Sequence, residues 1–160
     1  MRFANVRAMW SSSLWLRVAL ALVALLFLVQ LVPIYHDNPP HQGEVPAPPE
    51  VRAILERSCY DCHSRETRWP WYSFLAPVSW LLSYDVHEAR EEMDFTAWDT
   101  YSEKQRSKHF EEIWENVEKG EMPLWYYLPL HPDARLSQED LARLRDWTHS
   151  AGRQPAVSTR

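Results

Sequence analysis

The sequence predicts an all-α domain preceded by a single N-terminal transmembrane helix, on three grounds. Residues 14–35 are almost wholly apolar, interrupted only by Arg17 and Gln30. Beyond them, apolar side chains recur at the three- and four-residue spacing of helices, and no convincing run alternates as a strand would. Helix-opening serines stand where those patterns begin, while glycine occurs only 3 times, which leaves little room for a nucleotide-binding loop.

At 160 residues the chain holds one modest domain plus a targeting segment. Its net charge of -5 disfavours nucleic acid, which selects basic surfaces. Aromatic residues make up 13% of it, with 9 tryptophans among them. Either a large flat group to pack against or a dense aromatic core accounts for such a load.

Residues 1–13 are expected as a cytoplasmic N-terminus and 14–35 as the anchor, whose uninterrupted centre runs from Val18 to Val29. Arg2, Arg7 and Arg17 precede or enter the run, and no acidic residue comes before Asp37. The positive-inside bias then puts everything after His36 outside the cytoplasm. A cleaved signal peptide is the rival, but it usually has a shorter apolar region and a small-x-small cleavage site, which Gln30 to Tyr35 do not offer. Residues 36–49 are expected as a Pro-rich linker. The stretch from Pro33 to Pro49 holds six of the 12 prolines, and its extended, solvated backbone would act as a semi-rigid spacer holding the domain off the membrane.

The domain proper is placed at residues 50–152, with 153–160 as a frayed tail. Val51, Ile54 and Leu55 give a short amphipathic pattern running into Cys59. Val78, Leu81, Leu82, Val86 and Ala89 form a second apolar stripe opened by Pro77. Ser102 to Gln105 reads as a capping box for a third helix, with Phe110, Ile113, Trp114 and Val117 on one face and Gly120 at its end. Ser137 caps a fourth, with Leu141, Leu144 and Trp147 inward.

Cys59-Tyr60-Asp61-Cys62-His63 is the stretch that carries chemistry. Two thiols three positions apart reach one edge of a porphyrin, each sulfur bonding one vinyl group, while the histidine directly after the second binds iron. One covalent haem c is therefore expected, on Cys59 and Cys62, with His63 as the proximal ligand. A thioredoxin-like dithiol and a zinc site remain beside it; the first wants a βαβ context, and the second wants four ligands where only 2 cysteines exist. No zinc is expected. Haem attachment in bacteria takes place on the far side of the inner membrane, the compartment that the topology also predicts.

The second axial position decides the function. Met122, in Gly120-Glu121-Met122-Pro123, follows a helix terminus and precedes a proline that disfavours helix. It also lies downstream of His63 and before the last helix, the order used by small single-haem cytochromes c. Thioether ligation raises the reduction potential and closes the iron to small molecules. His131 is the alternative ligand. Met93 reads as core filler; His36, His41, His109 and His149 as facing water; and His87 as a partly buried group. Trp69, Trp71, Tyr72, Trp80 and Trp125 are candidates to wall the haem, with ordinary core packing as the other account of each. Arg65 and Arg68 are either propionate donors or solvated surface arginines.

The blocks Cys59 to Ser64, Glu66 to Tyr72, Ala76 to Trp80, Gly120 to Pro123 and Leu130 to Pro132 together resemble the bacterial haem-binding domain family. The likeness runs from about Asn38 to Trp147 and implies one covalent haem and an extracytoplasmic setting; it supplies neither substrate nor redox partner. The function expected is electron transfer by one low-spin haem, cytochrome c-like, in a helical domain tethered to the outer face of the bacterial inner membrane. Electrons would enter and leave through redox partner proteins. The alternatives are a haem enzyme or sensor for peroxide or small gases with an open sixth site, and a structural subunit of a larger membrane complex.

Overall fold

The computed structural model describes residues 4–152, with side chains from Leu14 onward, so the expected tail at 153–160 and the side chains of 1–13 lie outside the described residues. Among those residues the chain is all-α. Six α-helices follow in order: α1 Ala4–Val29, α2 Pro49–Ser58, α3 Tyr60–His63, α4 Val78–Glu92, α5 Glu103–Glu118 and α6 Gln138–Ala151. The chain divides into two compact units, residues 1–36 with 70–83, and residues 37–69 with 84–160.

In the first unit, α1 stops at Val29 instead of the expected Tyr35. Pro33 lacks a backbone donor and biases Val32 away from helix, so the last turn gives way at Gln30. Apart from Arg17, the described side chains of α1 are apolar, and all but the half-buried Val29 are exposed, with Trp15 at 72% and Phe27 at 71%. The part of α1 whose side chains are described, 14–29, rises about 24 Å against a hydrocarbon core of about 30 Å. Among the described residues no helix is long and apolar enough to cross a membrane.

The second unit holds the core. Pro49 at the first position opens α2 with its ring-fixed φ, Glu50 and Arg57 complement the two helix ends, and Val51, Ile54 and Leu55 turn inward. Both capping boxes form. Ser102 and Gln105 exchange side-chain and backbone bonds at the start of α5, and Ser137 and Asp140 do the same for α6. Arg57 Nη2 donates to Asp140 Oδ2 at 2.8 Å, tying the end of α2 to the start of α6. Phe110, Ile113 and Val117 of α5 and Leu144 and Trp147 of α6 complete the cluster. The stripe on α4 is buried only in its second half, at Val86 and Ala89, whereas Val78 and Leu81, which belong to the first unit, are exposed.

The proline-rich stretch is not a spacer from residue 37 onward. Val45 is 1% exposed in the core; its N–H donates to the Phe95 carbonyl at 2.8 Å and that of Gln42 to the Thr96 carbonyl at 2.7 Å. The Trp147 indole donates to the Pro46 carbonyl at 3.0 Å. An extended backbone leaves its carbonyls free, and here they serve as acceptors for the domain instead of for water. Val45→Ala should therefore lower stability in denaturant by about 2 kcal/mol, from two lost methyl groups plus the cavity they leave; a free spacer would give no change.

Candidate functional site

α2 ends at Ser58, and Cys59 sits at the junction with a non-helical φ of -130°. The chain then restarts, with the N–H groups of Cys62 and His63 both donating to the Cys59 carbonyl, at 3.1 and 2.9 Å. That turn puts both cysteines on one side. Tyr60 goes the other way into the core, where it stacks on Phe95 with centroids 5.7 Å apart and donates its hydroxyl to Glu44. Asp61 turns outward to Arg68.

His63 is held by backbone. Its Nδ1 lies 3.0 Å from the Met93 carbonyl, and because a carbonyl only accepts, Nδ1 carries the proton. In the neutral ring Nε2 then keeps its lone pair, the arrangement that a metal-binding imidazole needs. Burial favours that neutral form and lowers the pKa of His63, outweighing the Met93 and Ala89 carbonyls, which pull upward. The Phe95 N–H returns a bond of 2.8 Å to the His63 carbonyl.

Residues 93–98 form the buried shelf behind this ring. Asp94, 3% exposed, fixes it. One carboxylate oxygen accepts from the Thr96 N–H and hydroxyl at 2.9 and 2.7 Å, and the other accepts from Arg65 Nε at 2.7 Å. Arg90 braces the other side of the motif: its Nε donates to the Ser64 carbonyl at 2.8 Å, and its Nη2 to Thr67 Oγ1 at 2.8 Å and Asn38 Oδ1 at 2.9 Å.

Burial pushes the Cys59 and Cys62 thiols up to about 12, helped for Cys59 by its neighbour Cys62 and for Cys62 by Asp61 and Asp85. A redox dithiol works through a lowered thiolate pKa, so this environment opposes that chemistry. Among the described residues no three His, Cys, Asp or Glu side chains converge on one point. Two neutral thiols on one face of a turn, with a neutral imidazole closing it, fit a haem c that would take both sulfurs and bind iron through Nε2.

The Met122 segment is launched by the end of α5. Gly120 takes φ 70°, and the N–H groups of Gly120 and Glu121 return to the carbonyls of Val117 and Asn116 at 3.1 and 2.9 Å, a Schellman closure. The Met122 N–H also reaches Asn116 O, at 3.2 Å, and its half-buried side chain packs against the same core cluster as Cys59. Tyr126 donates to Asp85 at 3.0 Å within electrostatic reach of Cys62. His131 lies beside Asp61 of the motif, whose Oδ2 accepts from the Tyr127 hydroxyl at 2.9 Å. It stacks flat on Tyr127, centroids 3.9 Å apart, and borders a cavity of about 270 Å³ together with Arg57, Asp61, Arg68 and Asp133.

Among the aromatic candidates, Trp69 is half-buried and Trp125 is 79% exposed, edge-on to Tyr126 at 5.6 Å. Trp71, Tyr72 and Trp80 belong to the first unit, Trp71 being 74% exposed, Tyr72 half-buried and Trp80 exposed. Arg65 and Arg68 are engaged within the protein, by Asp94 and Asp61. Met93 packs in the core cluster as expected. Three histidines depart from expectation. His36 is half-buried, donating to the Ser73 carbonyl at 2.8 Å; His109 is 7% exposed beside Glu112; His87 is exposed and pairs with Glu91. Asp94, Arg90 and the Met93 carbonyl were not found by motif, since a backbone acceptor has no residue signature, Arg90 sits in otherwise ordinary helical sequence and Asp94 in the irregular stretch after α4.

An all-α domain that presents two thiols and a backbone-locked neutral imidazole from one turn defines a haem-binding class. The family described as haem-binding domain matches residues 24–150, and the chain belongs to it. Comparisons with curated proteins and with solved structures return no match.

Asp94→Ala should lower stability by about 3 kcal/mol, because it strands the largely buried Arg65 guanidinium. Asp61→Ala should cost less, about 1–2 kcal/mol, since its ion-pair partner Arg68 is 70% exposed at the side chain, and the loss falls mainly on the Tyr127 hydroxyl and the Arg68 N–H that Asp61 also accepts from. Denaturant titration of the two variants side by side checks the ranking.

Proposed function

We propose that this protein carries one haem c, bonded through Cys59 and Cys62, and transfers electrons at the outer face of the bacterial inner membrane. The observation that carries this is the His63 ring, neutral and fixed by the Met93 carbonyl, directly after a turn that aligns two un-ionised thiols. Haem c, when bound, supplies a one-electron iron couple. His63 would hold the metal through Nε2, and its locked ring cannot rotate away without breaking the Nδ1 bond. Met122 would be the second iron ligand; its backbone is fixed by Asn116 and its side chain packs against the cluster that Cys59 packs on. Such a thioether favours the reduced metal and keeps small molecules off it. Trp69 and Trp125 would wall the group. His131 is the alternative ligand, at the cost of its stack on Tyr127. A single haem forms no internal wire, so separate redox proteins must deliver and take the electron.

The membrane setting is supported by α1. Its 26 residues rise about 39 Å, more than a hydrocarbon core of about 30 Å. In water, its continuous exposed apolar surface would be an aggregation liability; in lipid it is solvated. The arginines at positions 2, 7 and 17, with no acid before Asp37, favour an N-terminus in the cytoplasm.

Changing both Cys59 and Cys62 to alanine should abolish haem that survives acid extraction, and either change alone should leave at most one thioether. In the wild type, a weak near-infrared sulfur-to-iron band and resistance of the reduced form to carbon monoxide are expected. Met122→Ala should remove the band, lower the potential and open the site. A high-spin wild type that binds carbon monoxide at once would replace the carrier with an enzyme or sensor.

A reporter fused after Arg160 should be active only outside the cytoplasm. Activity inside would overturn the topology.

A further inference from the structure

We infer that residues 70–83 rest in the interfacial zone of the lipid bilayer, as a second membrane contact beside the exit of α1; this rests on the reading of α1 as the anchor. The segment carries no charged side chain, in a chain that is 24% charged. Its polarity is inside out. The buried side chains are serines, Ser73 at 0% and Ser79 at 3%, while Trp71 at 74%, Phe74 at 60%, Leu75 at 47%, Val78 at 43% and Leu81 at 47% face outward. Water penalises that distribution on every count, and a contiguous apolar patch of this kind marks a binding surface. Ser73 is internally satisfied through its hydroxyl bond to the Pro70 carbonyl at 2.7 Å, so it does not call for water.

The occupant follows from where the segment is fastened. Gln30, the first residue after α1, exchanges two bonds with Ala76: Nε2 donates to the Ala76 carbonyl at 3.1 Å, and the Ala76 N–H donates to Oε1 at 3.0 Å. His36 adds its bond to the Ser73 carbonyl and lies 4.5 Å, ring to ring, from Phe74. Residues 70–83 are thus continuous with the end of an apolar helix, at the depth where an anchor meets headgroups. Tryptophan, tyrosine and phenylalanine on an uncharged segment are the composition of that depth, because their rings are apolar at one end and tolerate hydration at the other.

The test uses the full-length, haem-loaded protein in nanodiscs of phosphatidylethanolamine and phosphatidylglycerol. A nitroxide is placed at Phe74→Cys, Leu81→Cys, Leu22→Cys in α1 or Glu111→Cys on the exposed face of α5, and its relaxation by oxygen, which concentrates in lipid, is compared with that by a water-soluble nickel chelate. The oxygen-to-nickel ratio at positions 74 and 81 should exceed that at 111 severalfold and approach that at 22. If positions 74 and 81 match 111 while 22 stays lipid-like, the inference falls and the anchor stands. If 22 also matches 111, the anchor reading fails and the inference goes with it. Low access to both reagents at 74 and 81, together with a shifted Soret band, would place the segment against haem and overturn the inference.

Discussion

The bond from His63 Nδ1 to the Met93 carbonyl is the constraint around which the second unit is arranged. An imidazole on a short turn would otherwise sample several rotamers and exchange tautomers. Here the acceptor is backbone, so it cannot swing, and its position depends only on how rigidly residues 93–98 are held. The rest of the unit supplies that rigidity. The Val45 and Gln42 N–H groups bond one edge of the shelf, the Asp94 carboxylate pins it to Arg65 and Thr96, and the Asp94 N–H donates to the Tyr101 hydroxyl at 2.8 Å.

A second constraint is charge. The three groups of the motif that would meet the haem are all shifted toward their neutral forms, the thiols upward and the imidazole downward, and for all three the leading cause is the same desolvation. Burial therefore does not need to choose between them. A neutral imidazole is the form that ligates, and a site of low polarity around it is the kind of shell by which a protein tunes an iron couple. Charge near the motif is paired instead of free, since Arg65, Arg68 and Arg90 each find a carboxylate or carbonyl of this chain.

The parts legible in the sequence were those whose information is local. The motif at 59–63, the capping box at Ser102, the cap at Ser137 and the glycine ending α5 each declare themselves within five residues, because the interactions they encode close within one turn. What misled was context. Pro39 to Pro49 have the composition of a spacer, and nothing in that composition says that Val45 will be buried or that Pro46 will accept a bond from Trp147, 101 positions away. His109 was placed in water because its helical neighbours are polar, yet it lies against Tyr101, ring centroids 4.6 Å apart, on the seam between core and surface. The shelf was invisible for a different reason: its working atom is a carbonyl oxygen, which every residue possesses.

The tryptophans show why an aromatic count alone could not separate a cofactor wall from a core. Trp98 is 2% exposed, surrounded by Tyr101, His109 and Phe110, and spends its large apolar area stabilising the second unit. Trp71 is 74% exposed in a segment whose serines are buried. Identical side chains thus follow opposite rules in the two units, and a mean hydropathy of -0.46 averages over both. The charged residues that lower that mean are absent from 70–83, and between the start of the described side chains at Leu14 and the end of α1 Arg17 alone is charged. The first unit consequently exposes apolar side chains of the kind that the second unit buries, and the division between them falls where the charges begin.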